Sequence, residues 1–336
     1  MGKIKVILTD YVEPDLKWEE KQFEETNVDF SYYQLKHATP EEIIKKSADA
    51  DILVVNMAKI DKRIIENLKN CKLIIRHGVG YDNIDVKSAS ERGIVVSYIP
   101  DYCTEEVAEQ AIMLIFACQR KIIRQVSILK ESARKGRWHF RSINPVYKID
   151  GKTLGIVGFG RIGSTVYKRL QGFNLQFMIA DPFLPEERKK KFGISKLYSL
   201  EEVLKKSDIV TIHSSLSEET LHLIGKKELS LMKKTAILIN TSRGGIVNLA
   251  ELDEALKENK ISCAGIDVYE KEPPGKDFPL LDNDKAILTP HLSWLSEEAG
   301  WNIREKIVED IKRYLKKQQP MHTANGLKID FDKNYT

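Results

Sequence analysis

Short apolar runs alternate with amphipathic segments along the whole chain. In the first third, strand-like runs lie at 3–9, 51–55 and 72–76, and the segments between them carry charged residues on one face. A second series begins at Thr153. Its strand-like runs lie at 154–158, 175–180, 208–212, 235–240, 261–266 and 286–288. Strands that alternate with helices predict an α/β protein with parallel sheets. Six such strands are the number found in a doubly wound dinucleotide-binding sheet.

Two long helical stretches bracket this second series. The first runs from about Thr104 to about Glu131, and the second runs from about Ser296 to about Lys317. The simplest topology therefore inserts one domain into another, with these helices as the crossovers. The segment 132–150 has no periodicity and is predicted to be a loop or an arm.

We expect two Rossmann-like domains, each with a doubly wound parallel sheet. Residues 1–102 and 296–336 form the expected substrate domain, and residues 103–295 form the inserted cofactor domain. The predicted active site lies in a cleft between the domains, and closure about a hinge would exclude water from it.

Composition narrows the class of protein. The 336 residues are 42% hydrophobic and 30% charged, with a formal net charge of +4, which is typical of a soluble globular protein and too small to indicate nucleic-acid binding. No apolar run reaches the roughly 18 residues of a membrane span, and the N-terminus has the pattern of a first strand instead of a signal peptide. The four cysteines form no CxxC pair, so we expect reduced thiols, a cytoplasmic location and no metal site.

A glycine-rich turn opens the second series. Gly158-x-Gly160-x-x-Gly163 follows an apolar strand and begins a helix, which is the context that gives this motif its meaning. The first glycine permits the turn, the second lets the backbone approach a pyrophosphate, and the third lets helix and strand pack closely. The helix N-terminus then offers unpaired N–H groups to the phosphates, and Arg161 lies beside them.

An acidic residue ends the next strand. Asp181 lies 18 residues beyond Gly163, where a carboxylate accepts hydrogen bonds from the adenosine ribose. The same charge repels a 2′-phosphate. The predicted cofactor is therefore NAD and not NADP.

Three polar residues follow later strands, at the edge where a doubly wound sheet binds its ligand. They are Arg243, Glu272 and His291, and Asp267 ends the strand before Glu272. A 2-oxo acid reductase needs an arginine to bind the carboxylate and polarise the ketone, and a histidine to supply the proton. A carboxylate orients the imidazole and favours its charged form.

Together these motifs resemble the D-isomer-specific 2-hydroxyacid dehydrogenase family over nearly the whole chain. The resemblance rests on the glycine turn, Asp181, the run 240–245, Asp267, Glu272-Pro273-Pro274, Thr289-Pro290-His291 and the run 76–85. The run 100–108, Asp181-Pro182-Phe183-Leu184 and Trp294 are most similar to the branch that contains the C-terminal-binding proteins. Two positions depart from the common family pattern: His213-Ser214-Ser215 where many members read His-x-Pro, and Ser293 where many have alanine.

The resemblance implies reversible hydride transfer between NAD and a D-2-hydroxy acid, with Arg243, Glu272 and His291 as catalytic residues. The expected cofactor contacts are Gly158, Gly160, Arg161, Ile162, Gly163, Asp181, His213, Thr241 and Asp267. The expected substrate contacts are Arg76, Gly78, Val79 and Trp294. His213 is open between cofactor contact and strand-end packing, and Trp294 between pocket wall and core. The family also implies a homodimer formed by the helix near 104–131 and the arm after it.

Two other functions are weighed against this one. A nucleotide-gated binding protein, like the NADH-responsive corepressors of the same fold, would keep the cofactor site and lose the catalysis. A methyltransferase that uses S-adenosylmethionine would have a different glycine pattern and no need of Arg243, Glu272 and His291. The substrate classes considered are glyoxylate-like acids, branched or aromatic oxo acids and phosphorylated hydroxy acids.

Overall fold

The computed structural model describes residues 2–331, and the chain divides into two compact units. The first unit runs to Cys103 and resumes at Ser296, and the second comprises Thr104–Leu295. The two ends of the expected substrate domain, residue 1 and residues 332–336, lie outside the described residues. No helix among the described residues combines the length and the apolar character needed to cross a membrane.

The strands fall into two all-parallel sheets, of five and six strands. They are β1 Ile4–Leu8, β2 Val28–Tyr32, β3 Ile52–Val55, β4 Leu73–Arg76, β5 Val95–Tyr98, β6 Thr153–Val157, β7 Gln176–Ala180, β8 Ile209–Ile212, β9 Ile237–Asn240, β10 Cys263–Ile266 and β11 Ala286–Leu288.

Helices connect the strands. They are α1 Lys17–Phe23, α2 Pro40–Ser47, α3 Lys62–Asn67, α4 Val86–Glu91, α5 Thr104–Arg120, α6 Ile122–Lys135, α7 Arg161–Leu170, α8 Glu186–Phe192, α9 Leu200–Lys206, α10 Lys226–Leu231, α11 Leu249–Lys257 and α12 Glu297–Leu315. Short 3₁₀ turns lie at Phe140–Ile143, Gln171–Phe173, Gly244–Ile246 and Pro279–Asp282.

The first sheet has the strand order β2-β1-β3-β4-β5. Its strands are mostly buried apolar runs because helices cover both faces. α1 and α12 pack on one face, and α2, α3 and α4 pack on the other. The chain reverses its winding direction between β1 and β3, as a doubly wound sheet requires.

The second sheet has the strand order β11-β10-β9-β8-β6-β7. α5 and α7 cover one face, and α9, α10 and α11 cover the other. The winding reverses between β6 and β8, so the glycine turn after β6 lies at the switch point where such sheets bind ligands. The prediction of two doubly wound α/β units is confirmed.

The structure corrects three details of the expected elements. The predicted helix over 104–131 is two helices, because Lys121 adopts left-handed backbone with φ of 51° and separates α5 from α6. The expected arm at 132–150 begins only after Gly136, since α6 continues to Lys135. The first sheet has five strands, and the three predicted apolar runs correspond to β1, β3 and β4. The strands β2 and β5 were not predicted.

Candidate active site

The glycine turn after β6 has the backbone that its sequence predicts. Gly158 has φ of 88°, and a Cβ there would lie 2.7 Å from the backbone of Ser214. A Cβ on Gly163 would lie 2.2 Å from the carbonyl oxygen of Gly158, so α7 packs directly on the turn. Gly160, the N-cap of α7, faces open space and offers no capping side chain. No side chain of Gly160 therefore caps the first amides of α7, and these amides can donate hydrogen bonds to a ligand.

Asp181 directly follows β7 and is tied to the glycine turn. Its Oδ2 accepts a hydrogen bond from the amide of Phe159 at 2.8 Å, and its Oδ1 accepts one from the amide of Phe183 at 3.1 Å. These bonds fix the carboxylate beside the turn and leave lone pairs on both oxygens for a ligand.

Two buried polar atoms near this turn have no hydrogen-bond partner among residues 2–331. They are Nδ1 of His213, at the end of β8, and Oγ1 of Thr241, at the end of β9. Burial lowers the pKa of His213 to about 3, so its ring is neutral near pH 7; its Nε2 lies 2.9 Å from the hydroxyl of Thr211. Unpaired buried polar atoms are costly in a finished core, and here they lie at the ligand edge of the sheet. The open turn and these two atoms fit a dinucleotide.

Glu272 and His291 form a pair on two loops at the same edge. His291 Nδ1 lies 2.7 Å from Glu272 Oε2, and Oε1 of Glu272 accepts a hydrogen bond from the amide of Tyr269 at 3.1 Å. Partial burial opposes ionisation of Glu272, but the hydrogen bond and charge of His291, the Tyr269 amide and the charge of Arg243 outweigh it and lower the pKa of the carboxyl. The carboxylate is thus ionised at neutral pH and holds Nδ1 of the imidazole.

Arg243 lies on a turn whose backbone is held by the buried side chain of Asn240. Asn240 accepts a hydrogen bond from the amide of Ser242 at 3.0 Å and donates one to the carbonyl of Arg243 at 2.9 Å. The next residue, Gly244, approaches the neighbouring loop so closely that a Cβ would lie 1.9 Å from the carbonyl carbon of Tyr269. This contact brings the arginine turn against the loop that carries Glu272.

Asp267 is fully buried and clamps the loop that carries His291. Its carboxylate accepts hydrogen bonds from the hydroxyl of Thr289 and from the amides of Leu292, at 3.2 Å, and Ser293, at 2.9 Å. His291 itself adopts left-handed backbone with φ of 54°, which is uncommon outside glycine. Several hydrogen bonds to one carboxylate therefore stabilise a strained turn at the site.

Thr289 and Tyr269 are the structural contributors that sequence analysis missed. The hydroxyl of Tyr269 donates to the carbonyl oxygen of Thr289 at 2.9 Å, and Gln110 donates to the hydroxyl of Thr289 at 3.1 Å. Thr289 begins the Thr-Pro-His run, in which only the histidine is a sequence-predicted site residue. A hydroxyl residue two positions before a candidate base could have indicated a supporting hydrogen bond. The sequence does not reveal its partner, because Asp267 lies 22 residues earlier in the chain.

The expected residues divide between the two units. Arg243, Glu272, His291 and all the expected cofactor contacts lie in the second unit, as does the half-buried Trp294. Arg76, Gly78 and Val79 lie in the first unit: Arg76 is the last residue of β4, and Gly78 and Val79 follow it on the next loop. There Gly78 has φ of 150°, a backbone conformation that favours glycine, and it lies against the guanidinium of Arg76. His77 is buried with its Nε2 3.4 Å from Glu13, which agrees with a structural role for this residue.

Comparison with known proteins finds a match to a family model over residues 112–293. That model is described as D-isomer specific 2-hydroxyacid dehydrogenase, NAD binding domain. The chain is 38% identical over 284 residues to a glyoxylate reductase of Korarchaeum cryptofilum, covering 84% of this chain and 85% of that protein. It is 39% identical over 296 residues to a D-3-phosphoglycerate dehydrogenase of Methanocaldococcus jannaschii, covering 88% of this chain. The chain spans about half of that longer relative, 55% of its length.

A solved structure agrees with this match. The D-lactate dehydrogenase of Aquifex aeolicus, in complex with NAD and lactic acid, superposes with a TM-score of 0.83 at 27% identity and covers 96% of this chain and 99% of that one. The branch of the C-terminal-binding proteins is not specifically supported and stays a prediction. The chain belongs to the D-isomer specific 2-hydroxyacid dehydrogenase family, and its residues 112–293 match that family's NAD-binding domain.

Proposed function

We propose that the protein is an NAD-dependent oxidoreductase that interconverts a D-2-hydroxy acid and its 2-oxo acid. The observation that carries the proposal is the 2.7 Å contact between His291 Nδ1 and Glu272. The positive charge of Arg243 also stabilises the Glu272 carboxylate. A base, its orienting acid and an anion-binding arginine meet at the ligand edge of a sheet that carries a dinucleotide turn. These four features support hydride transfer coupled to proton transfer on an anionic substrate.

NAD, when bound, supplies a hydride acceptor, and NADH a hydride donor, at the substrate carbon C2. The glycine turn, Asp181 and the edge that bears His213 and Thr241 would hold it, with Arg161, Ile162 and Asp267 nearby. Arg243 binds the substrate carboxylate and the keto oxygen through its fixed fork of N–H groups. In reduction the oxygen at C2 gains a proton as the carbon gains a hydride, and oxidation reverses both transfers.

His291 supplies or accepts that proton. Because Glu272 holds Nδ1, Nε2 is the ring nitrogen that remains to exchange a proton with the substrate oxygen. Glu272 stabilises the imidazolium needed for reduction. The Asp267 clamp keeps the loop of His291 in place without touching the reacting atoms.

The substrate contacts remain proposals as well. The backbone of Gly78 and Val79, with Arg76, is assigned to the substrate carboxylate, and Trp294 to the pocket wall. The named relatives act on glyoxylate and on 3-phosphoglycerate, so we propose a small 2-oxo acid, with or without a phosphate, as substrate. The four free, buried cysteines favour a reducing cytoplasmic location.

A homodimer completes the proposal. α6 exposes Ile123, Val126 and Leu129, and the arm after it exposes Trp138 and Phe140, each with between 46% and 72% of its surface accessible. Such a concentration of large apolar side chains is typical of an interface. We propose a second copy of the chain as the partner.

A panel of 2-oxo acids with NADH, followed by absorbance at 340 nm, tests the proposal. Glyoxylate, pyruvate and 3-phosphohydroxypyruvate sample the relevant sizes and charges. Turnover of at least one is expected, and His291→Gln should abolish most of it while NADH still binds. If NADH binds tightly and no oxo acid reacts, the enzyme proposal fails and a nucleotide-gated binding protein is the better description.

A further inference from the structure

A basic groove in the second unit lies beside the proposed cofactor site and shares Arg161 with it. It has a volume of about 660 Å³ and lies between α7, α8 and the first turn of α5. That volume lies within the range of small-molecule sites. Its lining contains five cationic side chains, Arg161, Lys168, Arg169, Arg188 and Lys191, against a single carboxylate, that of Glu105.

The cations are arranged by helix geometry. Arg161, Thr165 and Lys168 are spaced by four and three residues along α7, so they share one face of the helix. Arg188 and Lys191 are three residues apart on α8 and share a face in the same way. At 1.5 Å per residue, Arg161 and Lys168 are separated by about 10 Å along the helix axis. Positive groups are thus distributed along the groove and not gathered at one point.

Most of this charge is not neutralised within the part of the protein that the structure describes. Arg169 binds Glu105 and Glu109, the latter at 2.7 Å. Among residues 2–331, the side chains of Arg161 and Lys168 form no ion pair or hydrogen bond. Lys191 has only the ring of Phe192, at 5.8 Å, as a partner within the same residues.

Arg188 is held over the groove by a neutral partner. Its guanidinium donates to the hydroxyl of Ser164 at 3.2 Å, and Ser164 is itself anchored to the carbonyl oxygen of Gly160 at 2.8 Å. The bond to Ser164 positions the guanidinium without cancelling its charge. Like charges that are brought together without acids repel one another, and a bound anion removes that repulsion.

The groove adjoins the dinucleotide turn but is lined almost entirely by other residues. Gly158, Asp181, His213 and Thr241 do not line it, and Lys168 and Lys191 lie on helices away from the strand ends. Arg161 alone is shared, since it opens α7. A ligand in the groove would therefore lie along the helix, next to the cofactor site and outside it.

We propose that this groove binds a small compound that carries a chain of phosphate groups. Spaced lysine and arginine side chains match several phosphates better than one, because each cation meets its own phosphate oxygens. Phe192 offers an aromatic wall, so a free polyphosphate and a nucleoside polyphosphate are the two sources of this chemistry. The site rests on the groove alone and holds whether or not the chain is a dehydrogenase.

Calorimetric titration of the purified protein with tripolyphosphate, with ATP and with inorganic phosphate, in about 0.15 M salt, tests the proposal. Saturable binding of one tripolyphosphate per chain is expected, with phosphate much weaker, and tighter binding of ATP would identify the nucleotide as the preferred source. Lys168→Glu and Lys191→Glu should each weaken binding at least about tenfold.

Lys190→Glu is the matched control, since Lys190 neighbours Lys191 on α8 but does not line the groove. It should leave the affinity within about twofold, because Lys190 is exposed and lies about 100° around the helix from Lys191, and salt weakens the effect of charges that do not contact the ligand. NADH titrations of all variants, monitored by fluorescence, show whether the dinucleotide site is intact. The proposal is overturned if all three variants lose the same amount of tripolyphosphate affinity. It is also overturned if NADH abolishes tripolyphosphate binding while Lys168→Glu and Lys191→Glu leave that binding unchanged.

Discussion

Glu272 is the carboxylate to which the proposed mechanism assigns the orientation of His291. The pKa of Glu272 is lowered, so its carboxylate stays ionised at a lower pH than an ordinary glutamate does. In the proposed mechanism the reduction of an oxo acid requires the imidazolium of His291, so the rate should be high at low and neutral pH and fall as pH rises. Hydroxy-acid oxidation requires the neutral ring and should show the opposite trend.

Replacing Glu272 by Gln keeps the size of the side chain and removes the charge that favours the imidazolium. The alkaline limb of kcat/KM for reduction should then move to lower pH, by an amount that the exposure of the pair to water limits. pH profiles of the native enzyme and the variant measure the shift. An unchanged profile would assign the orienting role to another acid, with Asp267 the first candidate.

Asp181 is the residue to which we assign the preference for NAD over NADP. Because the amides of Phe159 and Phe183 hold its carboxylate, it cannot readily turn away from a 2′-phosphate. We expect kcat/KM with NADH to exceed that with NADPH by at least about 100-fold. Asp181→Ser should narrow this ratio, mainly by weakening NADH binding. Comparable use of both cofactors by the native protein would contradict the assignment.

Among the elements, the site depends on how closely two loops approach. The turn after β9 carries Arg243, and the loop after β10 carries Glu272. Gly244 is the point of contact, where a Cβ would lie 1.9 Å from the carbonyl carbon of Tyr269. The main chains must separate if any side chain is added there.

Gly244→Ala should therefore lower stability by about 1–3 kcal/mol and reduce kcat/KM further than that loss of stability explains. Gly245→Ala is the matched control, since its Cβ would meet only the ends of leucine side chains at 3.4 Å. Urea unfolding and steady-state kinetics on both variants separate the two effects. Equal behaviour of the two alanine variants would show that the close approach is unimportant.

For the molecule as a whole, the exposed apolar face of α6 and the arm after it predicts self-association. Ile123 is 61% exposed and Leu129 is 54% exposed. Ile123→Glu combined with Leu129→Glu should convert a dimer into a monomer, because charges would be buried without partners at the interface.

Light scattering after size-exclusion chromatography measures the mass directly. Met321→Glu places the same charge at another exposed apolar position, which is 57% accessible, and should leave the dimer intact. A native protein that is monomeric at micromolar concentration would remove the dimer from the proposed function.

Local patterns in the sequence are sufficient to specify the alternation of strands and helices, the two doubly wound sheets, the glycine turn and the family. Buried parallel strands are continuous apolar runs, and the turn needs glycines at fixed spacing. Both can therefore be recognised without knowing which distant residues are in contact. The same patterns identify Arg243, Glu272 and His291, because each follows a strand that local composition reveals. Their catalytic roles stay predictions.

The remaining features depend on contacts between residues that are distant in sequence. β2 and β5 are the two edge strands of the first sheet, and polar residues interrupt their apolar runs, Asp29 and Ser31 in β2 and Ser97 in β5. The break at Lys121 depends on a left-handed residue inside a helical pattern. The Asp267–Thr289 clamp and the approach of Gly244 to Tyr269 join residues 22 and 25 positions apart. The basic groove likewise combines faces of α7 and α8, because side chains from separate helices become neighbours only when the sheet beneath them orders the layer.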